Sequence, residues 1–115
     1  MAGVDLGQSR VGFIGCGAMA RALAGGLVES GVSPDRVFAA DPFPGARSAF
    51  EKAIGAKPVE DNASVVAAAD VVVIAVKPGV VATILSGLDP KLAAAPLWIS
   101  IAAGIPLATL RGALP

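Results

Sequence analysis

The sequence contains no histidine and no tyrosine, one cysteine, and only 4% aromatic residues. Without histidine, a Ser-His-Asp triad is excluded and Cys16 lacks the basic partner that would activate it as a nucleophile. A single cysteine also excludes an internal disulfide and is typical of a reducing compartment, so we expect a cytoplasmic protein. No group of acidic or sulfur side chains has the spacing of metal ligands. Nucleophilic and metal-based chemistry are therefore not expected.

Charge of either sign is scarce as well. Nine basic and nine acidic residues cancel, and no basic stripe indicates a nucleic-acid partner. The first eight residues lack the basic and apolar regions of a signal peptide. The weakly charged stretch 92–110 contains Pro96 and Pro106, which favours a short buried strand over a membrane helix. We expect no contact with nucleic acid or membrane.

The chain does contain a glycine-rich turn between an apolar strand and an alanine-rich helix. Residues 15–20, Gly-Cys-Gly-Ala-Met-Ala, match the G-x-G-x-x-G/A pattern of dinucleotide-binding folds. Gly15 permits the tight turn, Gly17 lets the backbone approach a diphosphate, and Ala20 allows the helix to pack on the strand. The free N–H groups at the helix start attract the anion. The pattern predicts a dinucleotide site, although a glycine-rich turn between any strand and helix can have a similar sequence without binding a dinucleotide.

Apolar strands alternate with helical segments along the chain. We predict strands at 10–14, 36–40, 57–60, 71–76 and 97–101, and helices at 18–30, 46–54, 64–69, 80–88, 92–95 and 107–114. The alternation predicts an α/β fold, a doubly wound parallel sheet of the Rossmann type with strand order 3-2-1-4-5. Residues 1–9 are interpreted as a disordered or extended lead-in and 10–115 as one dinucleotide-binding domain.

Ligands of such sheets bind at the carboxyl ends of the strands, beside the switch between the first and fourth strands. We therefore expect residues 15–19, 75–78 and 102–104 to converge there. The sequence shows no repeat and no low-complexity linker.

Four polar residues lie where this fold would place cofactor contacts. Asp41 follows the second strand, where a carboxylate can bind the adenosine ribose, although a turn-forming Asp before Pro42 explains it equally well. Arg47 can instead bind a 2′-phosphate, so the choice between NAD and NADP stays open. Lys77 is either an anion ligand or an exposed strand-end lysine. Asn62 is either a helix cap or a contact on the adenine side.

Three segments together resemble the amino-terminal domain of pyrroline-5-carboxylate reductases. They are residues 11–20, residues 69–78 (Ala-Asp-Val-Val-Val-Ile-Ala-Val-Lys-Pro) and residues 99–105 (Ile-Ser-Ile-Ala-Ala-Gly-Ile). The last two distinguish this family from hydroxyisobutyrate-type dehydrogenases, which share the glycine turn. The resemblance implies NADP or NAD as cofactor and reduction of 1-pyrroline-5-carboxylate to L-proline in proline biosynthesis.

The resemblance also implies the residues of the cofactor site. The family's cofactor positions match Ile14, Gly15, Cys16, Gly17, Ala18, Met19, Asp41, Asn62, Val76, Lys77 and Ala103. Asp41 departs from the small polar residue that is common at its position. We therefore expect an Asp41→Ser change to weaken NADH relative to NADPH.

The family continues beyond the part that this chain matches. It adds a final strand and an all-helical domain, which forms the dimer and most of the substrate pocket. The resemblance therefore implies a chain truncated before both, with no catalytic residue of its own, weak cofactor binding and no turnover alone. Association through the apolar surface exposed by the truncation is expected. Two alternatives stay open: a non-catalytic nucleotide-binding or interaction module, and an NADP-linked dehydrogenase of the hydroxyisobutyrate type.

Overall fold

The computed structural model describes residues 9–100. The strands are β1 (Val11–Ile14), β2 (Val37–Ala40), β3 (Val71–Ile74) and β4 (Leu97–Ser100). The helices are α1 (Ala18–Glu29), α2 (Pro44–Ile54), α3 (Asn62–Ala68), α4 (Pro78–Ser86) and α5 (Pro90–Ala93), and a short 3-10 helix (Pro34–Arg36) precedes β2. Among these helices none is long and apolar enough to cross a membrane.

All strand pairs are parallel, and the strands lie in the order β2-β1-β3-β4. The predicted third strand at 57–60 is wrong as a strand, because Val59 makes only an isolated bridge to Ala40 at the outer side of β2. Pro58 has no N–H to extend the ladder. If this bridge takes the place of the predicted third strand, then β3 and β4 are the predicted fourth and fifth strands, and the predicted Rossmann-like order is confirmed. The switch point lies between β1 and β3.

Helices cover both faces of the sheet, which makes it doubly wound. Alternate residues of β1 face opposite layers: Phe13 packs among α1 and α2, with its ring centroid 6.1 Å from that of Phe50. Ile14 packs on the other face in the cluster that includes Val66 of α3. Every residue of β1 and β3 is buried, as expected for parallel strands covered on both sides.

A glycine inside β1 allows α3 to approach closely. A Cβ at Gly12 would lie 2.5 Å from Cγ1 of Val65 and 3.0 Å from Cβ of Ala69. Real Cβ atoms do not approach neighbours so closely, so any larger residue would push α3 off the sheet. Gly12 therefore sets the spacing between β1 and α3.

Apart from the strand at 57–60, the predicted helices and strands within residues 9–100 occur with small boundary shifts. Helices α2, α4 and α5 begin two residues earlier than predicted, each at a proline: Pro44, Pro78 and Pro90. Proline is well tolerated at the first helical position, because its missing N–H would be unpaired there in any case. β3 ends at Ile74, so residues 75–77 form a loop. The predicted helix at 107–114 and the segment 102–104 lie outside the described residues.

Candidate functional site

The carboxyl ends of β1, β2 and β3 border a cavity of about 520 Å³. Its lining consists of Ile14, Gly15, Gly17, Ala40, Asp41, Pro42, Phe43, Glu60, Asn62, Ala75, Val76, Lys77, Val80 and Ile84. The cavity lies at the topological switch point, where doubly wound sheets bind their ligands. Its volume is in the range of small-molecule sites.

Gly15 forms the turn that leaves β1. Its φ of +105° is in the region that favours glycine, and a Cβ there would lie 2.7 Å from the carbonyl oxygen of Ala75. The Gly15 N–H donates to the carbonyl oxygen of Ala40 at 2.8 Å, and the Ala75 N–H donates to that of Ile14 at 2.8 Å. The fold itself therefore requires glycine at this position.

Gly17 is different, because the fold does not require it to be glycine. Its backbone is extended, with φ −73° and ψ −171°, and no atom lies within 4 Å of an added Cβ. This open space next to the backbone is what a closely approaching diphosphate needs. The geometry of Gly17 is thus compatible with the diphosphate contact predicted for it, which stays a prediction.

Two helices begin at the cavity without a capping side chain. These are α1, whose N-cap is Gly17, and α4, whose N-cap is Lys77, and neither has an acidic residue in its first turn. The first N–H groups of α1 and the positive ends of both helix dipoles are therefore available to an anion. The start of α4 offers fewer donors, because Pro78 has no N–H and the Val80 N–H donates to the Lys77 carbonyl oxygen at 2.9 Å. The exposed Lys77 adds a positive charge on the β3 side.

Asp41 connects the loops that follow β1 and β2. Its side chain is almost buried, with Oδ2 accepting from the Cys16 N–H and Oδ1 from the Phe43 N–H, both at 2.9 Å. The Arg47 guanidinium donates to the Asp41 carbonyl oxygen at 2.8 Å, and its Nη2 lies 3.7 Å from Oε1 of Glu60. The bond to Phe43, two residues on, is the expected Asx turn. A carboxylate has further lone pairs, so a ribose contact is still compatible with this geometry.

Cys16 contributes its backbone to the site and its side chain to the core. The thiol is fully buried in the cluster of Phe13 and Ala20, on the α1 face of the sheet. Burial, followed by the nearby Asp41 charge, raises the pKa of Cys16 from 9.0 to about 12. The thiol is therefore neutral and unreactive at physiological pH. Within residues 9–100, no cluster of three Cys, Asp or Glu side chains could hold a metal ion.

The cavity brings together most of the residues predicted to bind cofactor: Ile14, Gly15, Gly17, Asp41, Asn62, Val76 and Lys77. Ala18 and Met19 lie outside its lining, exposed in the first turn of α1, and Ala103 lies outside the described residues. The side chain of Met19 is 59% exposed. Asn62 does not cap α3, because Asp61 does so by accepting from the Ala63 N–H at 3.0 Å.

Some lining residues were missed by the sequence reasoning, notably Phe43, Glu60 and Val80. Phe43 could have been found from its position, because it lies two residues after Asp41, and Asp41 was already predicted to lie at the carboxyl end of the second strand. Glu60 lies between α2 and α3, and Val80 lies within α4. Neither gave a signal, because their place at the cavity depends on how these distant segments pack together.

The strand order and the cavity at its switch point define a Rossmann-like NAD(P)-binding fold. The chain belongs to the family described as NADP oxidoreductase, coenzyme F420-dependent, whose model matches residues 10–104. The pyrroline-5-carboxylate reductase of Pseudomonas aeruginosa is 43% identical over 102 residues, which are 89% of this chain and 37% of that protein. The predicted resemblance to pyrroline-5-carboxylate reductases is thus confirmed.

Solved structures agree with this assignment. A pyrroline-5-carboxylate reductase from Coxiella burnetii matches with a TM-score of 0.84 and 30% identity, covering 92% of this chain and 40% of that one. The Plasmodium falciparum pyrroline carboxylate reductase, solved with NADP bound, has a TM-score of 0.80 at 22% identity, covering 96% of this chain and 39% of that one, and supports the fold alone. The chain spans about two fifths of the length of these relatives.

Proposed function

We propose that this chain is the cofactor-binding domain of a pyrroline-5-carboxylate reductase. It holds NADH or NADPH for reduction of 1-pyrroline-5-carboxylate to L-proline. The relatives named above support this, since they carry that name and match nine tenths of the chain. The observation that carries the proposal is the cavity at the switch point, which combines an uncapped helix start, a carboxylate and a lysine.

The cavity suggests how the chain would hold the cofactor. The first-turn N–H groups of α1, beside Gly17, bind the diphosphate. Asp41 on the β2 side accepts hydrogen bonds from the adenosine ribose, and Lys77 on the β3 side lies next to the nicotinamide half. The bound dinucleotide supplies the hydride, and the chain supplies position and electrostatics. We expect substrate binding and turnover to need more than the two fifths of the relatives' length that this chain spans.

The choice between NAD and NADP depends on the charges near Asp41. The carboxylate disfavours a 2′-phosphate, whereas Arg47 would favour one. However, the Arg47 guanidinium already donates to the Asp41 carbonyl oxygen and lies near Glu60. Separate titrations with the two cofactors decide this point.

The test is calorimetric titration of NADH and NADPH into the purified chain, with an assay of proline formation alongside. We expect binding without turnover. Gly17→Ala should raise Kd about tenfold or more, because the methyl group enters the space needed by the diphosphate. Gly26→Ala is the matched control, since its added methyl is equally free of contacts and Gly26 lies away from the cavity, toward the end of α1.

Each outcome of this experiment has a clear meaning. Absence of binding by the unmodified chain would refute the cofactor site. Equal affinities of the Gly17→Ala variant and the unmodified chain would place the diphosphate elsewhere. Proline formation by the chain alone would show that its substrate site is built differently from that of the relatives.

A further inference from the structure

An aromatic side chain lies exposed at the cavity. Phe43 is 70% exposed, the highest fraction among the large apolar side chains of residues 9–100. By contrast, Phe13 and Phe50 are fully buried in the core. Phe43 lines the cavity together with Asp41 and Asn62. An exposed phenyl ring gains little from the core, and at this position its face is free to meet a ligand in the cavity.

The backbone that carries this ring is firmly held. The Phe43 N–H donates to Oδ1 of Asp41 at 2.9 Å, and the Phe43 carbonyl oxygen accepts from the Arg47 N–H at 3.1 Å. Pro42 and Pro44 flank the residue, and a residue before proline is confined to extended conformations, which agrees with its φ of −93° and ψ of 121°. The ring is therefore presented from a pre-organised backbone, which lowers the entropy cost of binding.

The position of Phe43 indicates which part of a dinucleotide it meets. It follows β2, whereas Val76 and Lys77 follow β3, and β1 with its glycine loop lies between them. The two halves of a ligand whose diphosphate lies at Gly17 would thus extend toward opposite sides. In this fold the adenosine half lies toward the end of the second strand, which is the side of Phe43.

We propose that Phe43 is a binding residue for the purine base of the cofactor, with its ring stacked on the face of the base. The inference rests on the proposed function and extends it to the adenine end. Asp41 is the positioning residue of this platform, since the same carboxylate also accepts from the Cys16 N–H in the glycine loop. The base platform and the diphosphate loop are thereby fixed relative to each other.

The test compares fragments of the cofactor. Phe43→Ala is expected to raise Kd for 5′-AMP and for the preferred dinucleotide about tenfold, in the range measured for base stacking on aromatic side chains. Kd for nicotinamide mononucleotide should not change, because that fragment occupies the β3 side. Phe43→Tyr keeps the ring face and should bind like the unmodified chain. Binding is measured by calorimetry or by saturation-transfer NMR on the adenine protons.

Two controls separate stacking from unfolding. Phe43→Ala should keep the urea midpoint, because the ring is mostly exposed. Leu23→Ala removes another exposed apolar side chain, on α1 and outside the cavity lining, and should leave all affinities unchanged.

An unchanged Kd for 5′-AMP in Phe43→Ala would overturn the inference, as would an equal loss for 5′-AMP and nicotinamide mononucleotide. In both cases the unmodified chain still binds dinucleotide, so the proposed function survives. If the unmodified chain binds no dinucleotide, the proposed function fails and this inference fails with it.

Discussion

The cavity at the strand ends and a second cavity on the α1 face of the sheet differ in their chemistry. The second, of about 380 Å³, is lined by apolar side chains and a glycine: Val11, Phe13, Ala22, Leu23, Gly26, Leu27, Val71, Val73 and Ile99. It offers no hydrogen-bonding side chain. The strand-end cavity combines two carboxylates (Asp41 and Glu60), an amide and a lysine with glycine backbone. Ligand sites need such convergent polar groups to fix orientation, so apolar volume alone does not identify one.

The second cavity reflects uneven coverage of the sheet. Residues of β4 alternate, so Trp98 packs with α4 and α5, and its Nε1–H donates to the Ala93 carbonyl oxygen at 2.7 Å. Leu97 and Ile99 face the other side and are 39% and 42% exposed. Within residues 9–100, the helices on that side cover β1 and β2 but not β4. The comparison separates a cavity lined by polar groups at the strand ends from an apolar one where the helices leave part of the sheet uncovered.

The largest expected effect on stability comes from replacing Gly15, which forms the turn at the strand-end cavity. Gly15→Ala should lower the free energy of unfolding by about 3 kcal/mol, because alanine disfavours a positive φ and its Cβ would clash with the Ala75 backbone. Urea denaturation measures this loss. The matched variant Gly17→Ala should stay within about 0.5 kcal/mol of the unmodified chain, as expected where no contact changes. Equal losses in both variants would show that the two glycines do not play separate roles.

Cys16 links the two regions, since its N–H belongs to the strand-end loop and its thiol to the core cluster with Phe13. Its pKa is raised from 9.0 to about 12, so between these pH values the folded chain keeps a proton that the unfolded chain loses. Stability therefore falls as pH rises through this window, by about 1 kcal/mol at pH 10.

The measurement is urea unfolding at pH 8 and pH 10, with Cys16→Ala as the control. The variant should show a shallower decrease because it lacks the thiol. Identical pH dependence in both chains would mean that the thiol ionises as readily in the folded chain as in the unfolded one.

The smallest expected effect concerns the apolar cavity. Gly26→Ala should raise the free energy of unfolding by about 0.5–1 kcal/mol, because Gly26 lies within α1 and its added methyl meets no atom within 4 Å. Thermal or urea unfolding measures the gain. Cofactor affinity should not change. A changed Kd would show that the apolar cavity also takes part in binding, and the functional distinction between the two cavities would then be lost.

Much of this architecture could be predicted from local patterns. The apolar run before Gly15, the β-branched run at Val71–Ile74 and the helix-ending Gly55 are all encoded by neighbouring residues. Boundary errors arose at Pro44 and Pro78, which begin helices that were predicted to start two residues later. The weak edge pairing at Val59 was overestimated, because a short apolar stretch does not reveal how many ladder bonds it will make.

The site was predictable only in part. Gly15 and Gly17 look alike in the motif, yet one is required by the Ala75 backbone and the other is not. That distinction depends on the loop after β3, which is distant in sequence. Phe43 gave no periodic signal, since it belongs to neither a strand nor a helix interior.

Neighbouring residues determined the kind of fold, the glycine turn and the strand that delivers Asp41, because turn chemistry and hydrophobic alternation act over a few residues. The bond from the Phe43 N–H to the Asp41 carboxylate is a local turn, but the tertiary structure alone decided that the same carboxylate also accepts from the Cys16 N–H. It also decided that the Cys16 thiol is buried while its backbone serves the loop. These contacts depend on β2 pairing with β1, which brings together groups 25 residues apart.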